Sequence, residues 1–494
     1  MKSLQYGCAL LVLFIATPAL AQEPGPEALA DLVRAQAAEI AQLRARLDRL
    51  EASQSAVVAT APAALATTTI PGAQAAPERR AQVTQPFAPQ LAPPGPASRD
   101  VARAQEAQAA GVITEWGSGL PVFHSADGVF TFKPRGRILT DVSSTFGSDY
   151  EGRNITTTGM RALRLGLEGG VGPHFFYQLE TDFSENEVDV VTAFIGWRDR
   201  INADLDYDVR VGHLFNDRSF DGSTGSDSMP FLERNTVATA VIPQRAFYGL
   251  GVMPRLFWKS GHASLTVTGD RIDGSQTTGD SRTVIGRVHY NPIKTPTGVL
   301  HLGAWAFDED LSTGTAGVLT RNTVIGGRFN GALRVSTGPL EGGTGTAGYG
   351  LELGGYRGPI WMMSEYGQRH ASLDAGRPDF VTEAWSLSSG WFITGDLPPY
   401  NPRLGSFGQP KVLRPVFDGG PGAIELTARY ESLDFGGIAN AATGWAATLG
   451  VNWYLNSFAR IQVNGIQWQS DNAAGLYTGK DDGQTLSGRL AVTF

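Results

Sequence analysis

The chain has 494 residues, of which 42% are hydrophobic and 10% aromatic, with 61 glycines, one cysteine and a formal net charge of −8. An acidic balance of this size argues against nucleic acid as a partner, although net charge says little about the lining of a pore. No stretch beyond the N-terminus approaches the ~20 consecutive apolar residues that a membrane helix needs, so spanning by helices is excluded.

The start, Met1-Lys2 followed by an apolar run from Tyr6 to Leu20 and by Ala19-Leu20-Ala21, has the three parts of a secretory signal, which places residues 1–21 in a signal peptide and export in the route of the chain. Cys8 lies before most of that run, so no lipid anchor, disulfide or thiol chemistry is expected in the mature protein. From 27 to 51 the seam residues Leu29, Val33, Gln36, Ile40, Leu43, Leu47 and Leu50 step by four and three, predicting a short coiled-coil helix. β-Branched residues at one seam position with Leu at the other favour two strands, and Gln36 weakens that preference. Residues 52–112 are rich in Ala, Pro, Thr and Gln, as in Pro93-Pro94-Gly95-Pro96, and cannot bury a core. They read as a periplasmic linker that spans roughly 40 to 45 Å as a flexible chain.

From 120 to 494 the pattern is alternating strands. Leu205, Tyr207, Val209 and Val211 interleave with Asp204, Asp206, Asp208 and Arg210, and Ile424, Leu426, Ala428 and Tyr430 with Glu425, Thr427, Arg429 and Glu431. The last strand puts Leu486, Leu490, Val492 and Phe494 on one face and Ser487, Arg489 and Thr493 on the other. A greasy outside, a polar inside and a terminal aromatic suit an all-β fold, a transmembrane antiparallel β-barrel of the bacterial outer membrane with lipid against its wall. Allowing roughly 22 residues per strand and connection gives about sixteen to eighteen strands, and sixteen is the expectation. Trp197, Tyr207, Trp258, Trp391, Trp453 and Trp468 are placed in an aromatic girdle at strand ends.

Strand parity turns Lys133, Arg135 and Arg137 to the lumen together, with Arg164, Arg210, Arg287, Arg429, Arg460 and Arg489 on the same side of their strands. Such a row can exchange an anion's hydration for directed donors and pass the anion along. Asp141, Glu168, Glu180, Asp182, Asp204, Asp206, Asp208 and Glu425 share that parity, so arginines facing carboxylates would instead make a non-selective pore. Asp204, Asp206 and Asp208 on an extended strand lie roughly 6.6 to 7 Å apart, too far for compact ligation of an ion. The seven histidines are scattered and no nucleophile is paired with a base, so no metal, cofactor or enzymatic activity is expected.

Ser125-Ala126-Asp127-Gly128 through Arg137, Arg164-Leu165-Gly166-Leu167-Glu168-Gly169, Phe231-Leu232-Glu233-Arg234-Asn235, Gly390-Trp391-Phe392-Ile393-Thr394-Gly395-Asp396, Glu425-Leu426-Thr427-Ala428-Arg429-Tyr430 and Trp453-Tyr454-Leu455-Asn456 resemble the phosphate-selective porin O/P family across the whole barrel. The resemblance implies a trimeric, sixteen-stranded, often anion-selective porin passing small solutes such as phosphate. A wall-to-wall trimer outweighs the dimer suggested by the short seam. It also implies that the long connection 216–246 is the loop that folds inward to narrow the pore. Arg234 matches an arginine near the narrowest point, with Asp221, Asp227 and Glu233 on the same loop. The family's phosphate binders carry lysines in the first part of that loop, whereas Ser219 to Asp227 has Asp221 and Asp227. They also carry adjacent arginines where this chain has Arg161-Ala162. The contrasting reading is structural: the coiled coil and linker would tether the outer membrane to the cell wall.

Overall fold

The computed structural model describes residues 111–494 apart from 117–119, 186, 245–246, 270–271, 273–280, 312–317, 374–378 and 437–440. The expected signal peptide, coiled coil and nearly all of the linker lie outside the described residues.

Sixteen antiparallel strands form the wall. The first eight are β1 (Phe130–Phe146), β2 (Thr156–Val171), β3 (Phe175–Asp182), β4 (Asp189–Asn202), β5 (Leu205–Phe215), β6 (Tyr248–Trp258), β7 (Gly261–Thr268) and β8 (Arg282–Thr295). They are followed by β9 (Gly298–Asp310), β10 (Gly343–Arg357), β11 (Ile360–Leu373), β12 (Phe380–Phe392), β13 (Ala423–Gly436), β14 (Ala442–Tyr454), β15 (Ala459–Asn472) and β16 (Gly479–Thr493). Each pairs with its neighbour in sequence, and β16 pairs with β1 from Gln484 opposite Phe146 to Thr493 opposite Arg137, which closes the barrel. Closure leaves no unpaired edge, the condition for strands to cross lipid.

Phe494 completes the seam. Its N–H donates to the Gly136 carbonyl at 2.9 Å, and the Gly136 N–H donates to the Phe494 carbonyl at 2.8 Å. A Cβ on Gly136 would overlap the Phe494 ring, so only glycine lets the terminal aromatic lie flat there. Just before β1, a hairpin of Val112–Glu115 and Val122–Ser125 pairs onto it through Phe123 and His124.

The polarity of the wall is inverted relative to a protein with an apolar core. Leu165, Ile195, Val211, Leu351, Leu449, Leu486 and Leu490 are more than half exposed on the outside, while Arg137, Asp141, Glu180, Asn452, Gln462 and Arg489 are buried within. Trp197, Trp391 and Trp453 stand on the outer face, as expected of a girdle. Trp468 does not: it is fully buried on the inner face of β15, where Leu333 packs beside it and the Arg153 guanidinium lies 5.7 Å from its ring. The girdle placement fails for Trp468 because alternation along β15 puts it in phase with the inward Gln462 and Asn464.

One end of the barrel has turns as short as 203–204, 259–260 and 358–359, and the other carries loops as long as 216–247 and 311–342. Short turns mark the periplasmic end. One periplasmic connection, 393–422, is far longer than the rest and folds back into the lumen.

Candidate functional site

The lumen is obstructed from both ends. The loop 216–247 enters from outside with two short helices, α1 (Phe220–Ser223) and α2 (Thr236–Ala240). Ser219 and Asn235 cap them by accepting from Gly222 N–H and Ala238 N–H. Wall carboxylates then take further N-terminal donors: Glu365 accepts from Phe220 N–H at 2.8 Å and Glu431 from Thr236 N–H at 2.7 Å. These lumen carboxylates therefore hold a loop.

Behind α2, Val237 and Val241 pack with Ile325 and Leu333 of the second inward loop and with Trp305, Phe307, Phe380, Phe435 and Trp468 of the wall in one buried cluster. From the periplasmic side the 393–422 segment meets the outer loop. Phe407 packs edge-on against Phe220 at 4.9 Å, and its N–H donates to Thr224 Oγ1 at 3.2 Å. Arg287 of β8 fixes the tip by donating to the carbonyls of Leu404 at 3.0 Å and Gly405 at 2.6 Å. Gly405 has φ +58°, and a Cβ there would run into the His289 ring. These segments take up the lumen beside β8 to β12, and the cavities that remain are lined by β1 to β6 and, toward the outside, by β13 to β16.

The expected cations line that wall, and their partners are now explicit. Lys133 lies 3.7 Å and Arg135 2.8 Å from Glu168. Glu180 serves three guanidinium groups, Arg135 at 3.3 Å, Arg137 at 3.4 Å and Arg164 at 3.0 Å. Arg164 also holds Asp182 at 2.7 Å, and Arg137 reaches across to Asp227 of the loop at 2.8 Å. Four cations therefore meet four carboxylates in the middle of the path. Nearer the outside Arg489 grips Asp141 at 2.6 Å, and Arg161 holds Glu233 at 2.6 Å. Arg429 pairs with Glu431 at 3.1 Å and with Asp221 at 3.9 Å.

Arg234 donates to the carbonyls of Asp221 at 3.2 Å and Thr224 at 2.7 Å, bracing its own loop, and lines an outer cavity of about 590 Å³ with Glu233, Arg328, Arg334 and Arg429. Burial works to raise the Glu233 pKa, but Arg161, Arg489 and Arg328 overcome it and hold the carboxyl down to about 2. Asp227 is likewise held below the usual range, burial being outweighed by Arg137, whereas burial prevails at Asp221 and pushes it up.

Below the middle lies a cavity of about 510 Å³ into which Lys133, Arg210 and Arg255 project. Asp208 is taken at 2.8 and 2.6 Å by Arg255, leaving Arg210 3.8 Å from it; Asp206 faces Arg200 and Arg403. The aspartates of β5 thus serve separate arginines.

The histidines looked scattered in sequence, yet the register of β7, β8 and β9 stacks His262, His289 and His301 side by side. His262 lies 2.8 Å from Asp217 and His301 2.9 Å from Glu352, while His289 and His301 face the Pro402 carbonyl and the Tyr400 hydroxyl of the periplasmic insertion. Their parity was readable; their adjacency needed the register. The insertion had one sequence signal, a connection from 393 to 422 too long for a turn.

The model of a family described as phosphate-selective porin O and P matches residues 132–494. A protein of Caulobacter vibrioides described as uncharacterized is 32% identical over 473 residues, covering 91% of this chain and 86% of its own length. Among solved structures, an anion-selective porin from Comamonas acidovorans aligns at 14% identity and TM-score 0.47, over 74% of this chain and all of that one. OmpF of Salmonella typhi in complex with daunomycin aligns at 10% identity and TM-score 0.48, over 77% of this chain and 100% of that one.

Proposed function

The chain belongs to the phosphate-selective porin O and P family, a channel of the bacterial outer membrane, and we propose that it passes small hydrophilic anions, phosphate among them, by passive diffusion along the wall from β13 through β16 and β1 to β6. The observation that carries this reading is the placement of unspent positive charge. The middle of the path is balanced, and the outer cavity carries four arginines and four carboxylates, but at the periplasmic mouth the cations are in excess and at the outer one two arginines are only weakly paired. Outside, Arg328 has Glu185 at 3.9 Å, a glutamate whose side chain is 85% exposed, and Arg334 is bonded to the neutral Asn322. Inside, Arg210 is left over from the Arg255–Asp208 pair. The cation excess at the periplasmic entrance concentrates anions there, the weakly paired Arg328 and Arg334 offer donors at the outer one, and a balanced centre lets anions leave. Lys133, Arg135, Arg137, Arg164, Arg210, Arg234 and Arg429 are the groups an anion would pass. The homotrimer that the family resemblance implies is part of the same proposal.

The test is the reversal potential of the purified protein in a planar bilayer under a KCl gradient, repeated with phosphate. An anion-selective potential with phosphate block supports the reading. A potential near zero supports the second reading, a general porin, which the four-to-four balance around Glu180 favours. A cation-selective potential overturns the first.

A further inference from the structure

The periplasmic cavity is built differently from the rest of the path. Five cations and two carboxylates line it among the described residues, together with five aromatic side chains. The two carboxylates are already committed, Glu168 to Lys133 and Arg135 and Asp208 to Arg255. Arg210 is the group left over. Its guanidinium is held by rings, 4.8 Å from the centroid of Phe194 and 5.6 Å from that of Phe176. Its Nε is buried with no hydrogen-bond partner among the described residues, while a quarter of the side chain (26%) stays open to the cavity. Arg198 lies 5.5 Å from the same Phe176 ring, and Arg403, from the periplasmic insertion, lies 3.9 Å from Phe257.

Holding Arg210 and Arg198 on ring faces keeps them fixed without neutralising them, so their planar donors remain for a solute, whereas Arg403 is also paired with Asp206 at 3.2 Å. The cavity thus offers two chemistries a few ångströms apart: a fork that matches a carboxylate and flat apolar surface in Phe132, Phe176 and Phe194. Inorganic phosphate and small aliphatic acids use only the first. An aromatic amine is repelled by the excess of positive charge. We infer that this cavity is a binding site for aromatic monocarboxylates, with Arg210 receiving the carboxylate and the ring lying against Phe176 and Phe194. The inference rests on the channel reading only for how the solute reaches the cavity.

The experiment is calorimetric titration of the purified full-length protein in detergent with benzoate, acetate and phosphate, alongside the reversal potential. Benzoate is expected to bind at least tenfold more tightly than acetate. Arg210→Ala should weaken benzoate roughly tenfold, the scale of a lost charge-assisted hydrogen bond. Phe176→Ala should narrow the gap between benzoate and acetate while leaving acetate unchanged, and Arg210→Lys, which keeps the charge and fills the space, should fall between wild type and alanine. Equal binding of benzoate and acetate, or benzoate binding untouched in both Arg210 variants, overturns the site. Benzoate binding in a pore without anion preference overturns the proposed selectivity and leaves the site standing; anion preference with equal binding does the reverse.

Discussion

Replacing Gly405 by valine tests the periplasmic insertion directly. Gly405 sits at φ +58°, where a residue with a Cβ costs about 1–2 kcal/mol, and that Cβ would lie 2.6 Å from Cγ of His289. The ring cannot swing aside, because it is stacked on His301 and in contact with His262. The tip must move instead, and with it go the two hydrogen bonds from Arg287 to Leu404 and Gly405. Each hydrogen bond from a charged donor is worth about 1.5–3 kcal/mol. Arg287 keeps Glu352 and Asp217, so no bare charge is left behind. The total, about 4–8 kcal/mol at most, brackets the ~5.5 kcal/mol that turns a 99:1 preference for the docked tip into 1:99. Single-channel conductance should rise, and trypsin should begin to cut after Arg403, which in the docked state is paired with Asp206. Wild-type conductance together with wild-type resistance at Arg403 would refute the view that this contact holds the segment in the lumen.

Glu180→Gln removes one negative charge shared by three arginines without changing shape, and the reversal potential should move toward anion selectivity; no shift would mean the path bypasses this cluster. Glu233 gives a pH signature. Its folded pKa, about 2, is below that of a free glutamate, so the stabilisation it adds to the loop is complete above about pH 4.5 and is lost as pH falls toward 2. The difference corresponds to about 3 kcal/mol. Current noise from the loop should therefore stay low at pH 5 and grow between pH 4 and 2 in wild type, and Glu233→Gln should be noisy already at pH 7. Deletion of residues 27–112 should leave conductance unchanged and, if those residues tether the membrane to the cell wall, raise leakage of periplasmic enzymes; an intact envelope would end the tether hypothesis.

The barrel was legible because lipid on one side and water on the other impose a period of two that any strand displays by itself. The alternation around Leu426 and Leu490 sufficed, and the inward loop announced itself by its length. What lay beyond reach depended on register. Lys133 faces Glu168, and Arg489 faces Asp141, a residue 348 positions earlier, and no local pattern specifies such pairs. The same limit hid the histidine stack, whereas the inward side of Trp468 was legible from the parity it shares with Arg460 on one strand. Parity put Glu180 in the lumen, but Glu365 was not singled out, and the division of labour was invisible, since Glu365 and Glu431 hold the loop while Glu180 balances arginines.

The seam at Gly136 and Phe494 also governs how the molecule comes into being. Its partners stand at opposite ends of the barrel sequence, so the joint forms only after the strands between them have been made. Closing a span of that length costs only roughly 4 kcal/mol more than closing a short hairpin, because the penalty grows with the logarithm of length. The difficulty lies in timing. Contacts so distant in sequence form late, and until they do β1 and β16 are bare strand edges open to pairing with other chains. The export route must therefore shield an open sheet until Gly136 and Phe494 meet.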